Sequence, residues 1–189
     1  RTLLHRAAGS TTTSHALAEA LHTRYGGTRP SVVTNSFPLQ PDPHRGPPGE
    51  TPAFFWFSQT LGPGRGLEAF LAAWTLTKAP SRVVLLGESR GGYDETLLTQ
   101  LPSERRKLVS FHGLVPPEKL PALIARHDVG LALEDSAIVN RDLTITNKIL
   151  QYLNAGLAVV ATPTAGQREV LARAPDAGVF LALRESASD

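Results

Sequence analysis

From residue 53 onward, short apolar runs alternate with amphipathic stretches. The apolar runs are rich in Val, Leu and Phe, which is typical of strands buried on both faces of a sheet. They lie at Ala53–Phe57, Arg82–Leu86, Leu108–Phe111, Val129–Leu133, Leu157–Ala161 and Val179–Leu181. Stretches with helical periodicity lie between most of them, at Gly66–Leu76, Tyr93–Leu101, Pro117–Arg126, Thr144–Ala155 and Gly166–Arg173. This alternation predicts an α/β fold, an open parallel sheet with helices on both faces and right-handed crossovers.

The stretch Thr144–Ala155 carries a clear helical pattern. Ile145, Ile149 and Leu153 recur every four residues, which predicts one buried stripe. The opposite, exposed face is predicted to carry Thr144, Lys148, Gln151 and Ala155. We expect the helix to end at Gly156, which tolerates positive φ. Free N–H groups at its start, the helix dipole and Lys148 would suit an anion. An ordinary amphipathic helix that leads into a core strand explains the same pattern.

Ligands bind beyond the carboxyl ends of the strands in such a sheet, so the candidate loops are 58–66, 87–92, 112–116, 134–147 and 162–167. In the first loop, Gly62, Gly64 and Gly66 allow a ligand to approach the backbone, and Arg65 beside a helix start suits a pyrophosphate. A dinucleotide fingerprint would require a third glycine at position 67. That residue is Leu67, which disfavours a nicotinamide cofactor.

Three further features of these loops bear on a ligand site. The turn at 111–117 has free backbone groups that suit the edge of a base, although Pro117 is equally an ordinary first residue of a helix. The turn at 162–167 is of the same strand-to-helix kind. Glu134 and Asp135 offer two carboxylates, but the side chains of adjacent residues usually point apart.

Composition narrows the function classes. A net charge of +2 over 189 residues gives no reason to expect nucleic-acid binding. No apolar run approaches the ~20 residues of a membrane helix, and no signal peptide opens the chain, so we expect a cytoplasmic protein. The chain has no Cys, and its six His are scattered, so we expect no bound metal. The basic cluster Arg105–Lys107 is predicted to be a solvated turn.

The sequence also predicts how the chain is divided. It contains no Met, so Arg1 is not a translation start and we expect a fragment. Six prolines between residues 38 and 52 exclude a helix or a central strand and predict an interdomain linker. Residues 1–37 are then the tail of a preceding domain, and residues 53–189 form the sheet domain.

Four stretches of residues 53–173 have family-like patterns, namely Phe57–Glu68, Phe111–Val115 with Leu120–Val129, Asn147–Thr162 and Ala165–Val170. Together they resemble the nucleotide-sugar-binding half of a GT-B glycosyltransferase of the group-1, retaining type. The third stretch, which resembles the family's N-K-x-x-E-Y-x-A-x-G-x-P-V-V-A-T, is the most specific. Ser10–Tyr25 and Val32–Pro38 are more weakly similar to the end of that family's N-terminal domain.

The resemblance implies a Rossmann-like domain that binds a nucleoside-diphosphate sugar, in a hexosyltransferase whose acceptor site lies in an absent domain. It implies that Arg65 and Lys148 neutralise the diphosphate as charge develops on the leaving group. Leu114 and Val115 would lie against the base, and Gln151 near the ribose. The remaining donor contacts are assigned to Gly62, Gly64, Gly66, Asn147, Thr164, Ala165 and Gly166. The donor is a substrate, so no cofactor and no metal is implied.

Two departures from the family pattern put the donor-sugar contact and full activity in question. Leu143 and Gln151 stand where the family often carries two glutamates, and Gln59 stands where a phosphate-binding Arg is common. A nucleotide-sugar epimerase of the same architecture, or a non-catalytic module that binds a nucleotide sugar or a partner, therefore stays open. The acceptor is not identified, and the absent domain leaves room for peripheral membrane contact. We expect the fragment alone to be inactive.

Overall fold

A computed structural model of the chain describes residues 5–39 and 51–182. The strands are β1 (Thr11–Thr12), β2 (Ser31–Val32), β3 (Ala53–Leu61), β4 (Arg82–Ser89), β5 (Val109–His112), β6 (Val129–Ala132), β7 (Ala158–Ala161) and β8 (Gly178–Phe180). The α-helices are α1 (His15–Tyr25), α2 (Leu67–Thr75), α3 (Tyr93–Thr99), α4 (Ser103–Arg106), α5 (Leu120–Ile124), α6 (Val139–Leu143), α7 (Asn147–Asn154) and α8 (Ala165–Leu171). Two 3-10 turns lie at Pro117–Lys119 and Pro175–Ala177.

Strands β3 to β8 form one six-stranded sheet in the order β5-β4-β3-β6-β7-β8. Every neighbouring pair is parallel. From β3 the chain first builds outward through β4 and β5. It then returns to the other side of β3 and builds outward through β6, β7 and β8. The predicted α/β class, a Rossmann-like open parallel sheet, is confirmed.

Side chains of alternate strand residues enter two separate cores. Phe55 of β3 belongs to the core beneath α5, α7 and α8, whereas Trp56 belongs to the core beneath α2 and α3. Both side chains are fully buried. Because each central strand buries both of its faces, its sequence is a continuous apolar run rather than an alternating one. The prediction of helices on both faces is confirmed.

Helix α7 differs from its prediction at the start and in its buried face. It begins at Asn147, because Thr144 and Thr146 have extended backbones and place Ile145 in the turn before the helix. The fully buried helical residues are therefore Ile149 and Tyr152, while Leu153 is only half-buried. The prediction that Lys148 and Ala155 lie on an exposed face is also wrong. Ala155 is buried in the core beneath α7, and Lys148 is nearly buried in an ion pair. Gly156 has φ 71°, so the predicted helix end is confirmed.

Three other regions contain helices that differ from the predicted secondary structure. The helix predicted over Pro117–Arg126 is divided into a 3-10 turn and the short helix α5. Pro121 lies in the first turn of α5, just after the point where the two meet. Helix α4 contains Arg105 and Arg106, where a solvated turn was predicted. Helix α6 lies inside the loop predicted over 134–147. The 3-10 turn has three residues and helices α4, α5 and α6 have four or five each, which is too short for periodicity to reveal.

The segment at 5–39 forms a small unit of its own that docks on the larger sheet domain. Strands β1 and β2 pair in parallel, with α1 between them in the chain. The Glu169 carboxylate of α8 accepts the backbone N–H groups of His15 and Ala16, at 2.9 and 2.6 Å. This negative charge therefore caps the positive end of α1. The assignment of residues 1–37 to a preceding domain stays a prediction.

The predicted linker over 38–52 lies mostly outside the described residues, as does the end of the domain predicted over 53–189. Among residues 5–39 and 51–182, no helix combines the length and apolar character needed to cross a membrane.

Candidate functional site

The central pair of strands, β3 and β6, marks the switch point of the sheet, where the direction of strand addition reverses. In open parallel sheets, the loops after such a pair separate and leave a crevice that binds ligands. A cavity of about 980 Å³ is lined here by the loops after β3, β6 and β7, and it continues along α2. Its loop residues are Gly64, Gly66, Glu134, Asp135, Ser136, Thr162 and Pro163. The α2 wall includes Glu68, Ala69, Ala72 and Ala73.

Three of the five candidate loops therefore meet at one cavity, and those at 87–92 and 112–116 do not line it. The end of β3, which leads into the first of these loops, carries a register shift between Phe57 and Thr60 against β4. Gly87 of β4 accommodates that irregularity, because a Cβ there would lie 2.9 Å from the carbonyl oxygen of Ser58. Bulges of this kind commonly redirect the chain next to binding sites.

The glycines of the loop after β3 differ in role. Gly64 and Gly66 have φ of 70° and 72°, a region that disfavours side chains, and both line the cavity. Gly62 has neither a positive φ nor a crowded Cβ direction, and it does not line the cavity. Arg65 is half-buried between the two cavity-lining glycines. It forms no side-chain hydrogen bond or ion pair with another described residue. Its predicted role toward a diphosphate stays a prediction.

Lys148 forms an ion pair with the cavity-lining Glu134 and does not lie on a solvent-exposed face. Its Nζ is 2.6 Å from Oε1 of Glu134, and the two side chains are 11 % and 4 % exposed. Lys148 Nζ also lies 5.7 Å from the centroid of the Trp56 ring. Periodicity along α7 could not reveal this arrangement, because the carboxylate that draws Lys148 inward follows strand β6. A buried pair that is nearly neutral brings less positive charge to a diphosphate than an unpaired lysine would.

Thr162 joins the loops after β6 and β7. Its Oγ1 accepts the backbone N–H of Glu134 at 2.8 Å. The fully buried Gln167 of α8 donates its Nε2 to both Thr162 Oγ1 and Thr162 O, at 2.9 Å each. The backbone N–H of Glu134 is thus held by Thr162, which Gln167 holds in turn. Residues whose rotamers and backbone are held in this way suit a binding site.

The start of α8 was predicted to supply N–H donors to a phosphate. Thr164 is its cap and accepts the backbone N–H of Gln167, while the N–H of Ala165 donates to Asp142 Oδ1 at 3.1 Å. A Cβ on Gly166 would lie 2.3 Å from the carbonyl oxygen of Thr144, so glycine is required there for packing. Ala165 and Gly166 thus join α8 to α6 and to Thr144, and the binding of phosphate by these three residues stays a prediction.

The remaining predicted contacts are not brought to the large cavity. Asn147 accepts a hydrogen bond from Asn35 Nδ2 at 2.8 Å. Gln151 lines a separate cavity of about 100 Å³ with Phe37 and Pro38. Leu114 is exposed, and the half-buried Val115 packs against the core beneath α5 and α7. Of the predicted donor-binding residues, only Gly64 and Gly66 line the larger cavity. Its other lining residues were not predicted to bind the donor.

Burial shifts the pKa values of two tyrosines and one histidine. Burial raises the pKa of Tyr152 well above its ordinary value, and the nearby charge of Glu134 adds to the effect. Burial likewise raises the pKa of Tyr93, whose hydroxyl donates to Glu68. Burial lowers the pKa of His127, whose ring stacks on Phe55. Within residues 5–39 and 51–182, no group of three or more His, Asp or Glu side chains is arranged to hold a metal ion.

Sequence reasoning missed two residues that shape this region. Glu134 was considered only as half of a carboxylate pair with Asp135. Gly130 in β6 was not considered, yet a Cβ there would lie 2.2 Å from Cγ of Tyr152. The available signal was an isolated glycine inside a strand pattern, which often marks a close approach by another group.

The sequence matches the family model described as "Glycosyl transferases group 1" over residues 52–188. No curated protein matches it. Among solved structures, HepE from Anabaena in complex with UDP is 20 % identical with a TM-score of 0.77, and the match covers 98 % of this chain and 53 % of HepE. WaaG, "a glycosyltransferase involved in lipopolysaccharide biosynthesis", is 18 % identical with a TM-score of 0.66, over 93 % of this chain and 50 % of WaaG.

A third structure, the C-terminal domain of LpcC from Francisella tularensis, is 14 % identical with a TM-score of 0.54, covering 72 % of each chain. At such identities the structural likeness shows the fold alone. The chain spans about half the length of HepE and of WaaG. The family resemblance inferred from the sequence motifs is confirmed.

Proposed function

The chain belongs to the group 1 glycosyl transferases, and on that premise we propose that it is the donor-binding half of a hexosyltransferase. In this proposal, the chain binds a nucleoside-diphosphate sugar. The sugar is then transferred to an acceptor held by the other half of the enzyme. The small 5–39 unit supports this division, because it has its own two-stranded sheet and lies outside the residues that match the family model.

The cavity at the β3–β6 switch point is the observation that carries the proposal. Its volume of about 980 Å³ lies at the upper end of the roughly 300–1,000 Å³ of ligand pockets. Backbone at Gly64 and Gly66, polar groups at Glu134, Ser136 and Thr162, and the small side chains of α2 share its wall. A ligand with charged, hydroxyl-rich and flat parts suits this mixture. HepE is in complex with UDP in one structure and with UDP-glucose in another, which supports the same ligand class.

Arg65 is the residue we assign to the diphosphate. A guanidinium presents several N–H donors to phosphate oxygens, and its charge becomes more favourable as negative charge develops on the departing diphosphate. The two flanking glycines expose the backbone of the same loop, so N–H groups there can approach the same oxygens. Lys148 contributes only together with Glu134, because the two charges are paired.

Binding measurements test this assignment. Titrations with UDP, GDP, ADP and their sugar conjugates identify the base and the sugar. Arg65→Ala should weaken the preferred diphosphate by about 1.5–3 kcal/mol, the range for hydrogen bonds to charged groups, and leave the matching nucleoside nearly unchanged. Arg173→Ala, which removes an exposed arginine beyond α8, is the matched control. Equal losses for nucleoside and diphosphate would place Arg65 away from the phosphates.

Activity measurements separate the proposal from its alternatives. We expect no sugar transfer by the chain alone, since a closed cleft needs both halves of the enzyme. Turnover by the isolated chain would contradict that expectation. The non-catalytic alternative is favoured by one observation, the absence of carboxylates at Leu143 and Gln151. It predicts that a longer protein binds the nucleotide sugar and still transfers nothing, whereas an epimerase would convert the donor without an acceptor.

A further inference from the structure

Glu134 combines burial with access to the cavity. Its side chain is only 4 % exposed, and it nevertheless forms part of the cavity wall. A carboxylate in such a position carries a cost of desolvation that a purely structural role would avoid with an apolar residue. Lys148 contacts Oε1, and a carboxylate with two oxygens can accept several hydrogen bonds. The ion pair therefore leaves acceptor capacity for a ligand.

The charge of this pair favours hydroxyl groups over phosphates. A lone carboxylate would repel a diphosphate in the same cavity, whereas the close positive charge of Lys148 offsets much of that repulsion. A neutral hydroxyl donor meets no such repulsion and gains a hydrogen bond to a charged acceptor. We propose that Glu134 recognises hydroxyl groups of the donor sugar, and that Lys148 is a positioning residue that orients its carboxylate. This inference rests on the proposed function.

The neighbouring Asp135 provides the contrast. Asp135 also lines the cavity, but its Oδ1 accepts the backbone N–H of Ala137 at 2.9 Å and closes its own turn. Asp135 has no buried lysine partner among the described residues. Asp135→Asn thus removes the same formal charge from the same wall, and it leaves the Glu134–Lys148 pair in place.

The experiment compares each nucleotide with its sugar conjugate, using the preferred pair among UDP and UDP-glucose, GDP and GDP-mannose, or ADP and ADP-glucose. The measured quantity is the ratio of the two dissociation constants. Glu134→Gln should change this ratio by tenfold or more against the sugar nucleotide, as for a lost hydrogen bond to a charged group, roughly 10- to 150-fold. The ratio is used because Glu134→Gln also leaves the charge of Lys148 unpaired, which should tighten binding of the nucleotide and of its sugar conjugate alike. Asp135→Asn should leave the ratio unchanged.

Glu134→Asp keeps the charge and withdraws the oxygens by one methylene, so it should change the ratio in the same direction. Lys148→Met should also change the ratio of dissociation constants, and Lys148→Arg should keep the parent ratio. If Lys148 were merely structural, neither substitution would change this ratio. Thermal unfolding of each variant confirms that it is folded.

An unchanged ratio in folded Glu134→Gln or Glu134→Asp overturns the inference. Equal losses for nucleotide and sugar nucleotide also overturn it, as does failure of both variants to fold, since Glu134 is then structural. If the parent chain binds none of the six ligands, the proposed function fails instead.

Discussion

Replacing Lys148 by Met should strongly destabilise the fold, contrary to what its place in the predicted exposed face of α7 implies. The substitution keeps most of the volume of the side chain and removes the charge that faces Glu134 at 2.6 Å. Both side chains are nearly buried, so solvent screens the pair little, and the carboxylate is left without its partner. Breaking a buried pair in this way costs about 3–5 kcal/mol. For a domain of this size the corresponding loss in Tm is roughly 6–20 °C.

Urea unfolding followed by circular dichroism measures the effect, with Lys78→Met as the control because Lys78 is exposed. Such a surface change should stay within about 0.5 kcal/mol. The double variant Lys148→Met with Glu134→Gln should recover much of the loss, because the uncompensated charge is gone. A cost below about 1 kcal/mol for Lys148→Met, typical of exposed pairs, would refute the buried arrangement.

Three further outcomes are expected. Gly130→Ala should cost about 1–3 kcal/mol of unfolding free energy in urea, since the new Cβ meets the ring of Tyr152, and an unchanged midpoint would show that the ring moves away freely. Burial lowers the pKa of His127, so its contribution to stability is present above about pH 6.5 and is lost as the pH falls through the lowered value. His127→Gln should therefore flatten stability between pH 7 and pH 5, and an identical slope in parent and variant would contradict this. Glu169→Ala should remove about 1 kcal/mol from the docking of α1 and speed hydrogen exchange of its first two amides, whereas unchanged exchange would mean that another group caps the helix.

The strands were predicted well because their signal is local. A strand buried on both faces must be apolar along its whole length, and a turn residue must follow it. The loop after β3 was predicted as a binding element for a similar reason. Gly64 and Gly66 adopt positive φ, and glycine's tolerance of that conformation can be recognised from the residue type alone. The ends of α7 show the limit of this reasoning. Gly156 marked its end correctly, but nothing local to Ile145 shows that it precedes the helix.

The class of sheet, the positions of its strands, the family and three loops that line the large cavity were all predicted from the amino-acid sequence. Each of these depends on residue type and spacing within a few turns of chain. By contrast, the partners of the polar groups could be read only from the folded chain. The N–H of Ala165 is occupied by Asp142, Asn147 is held by Asn35, and Lys148 is paired with Glu134. Such partners come from other elements, and whether a charge is free or paired depends on the burial that packing creates.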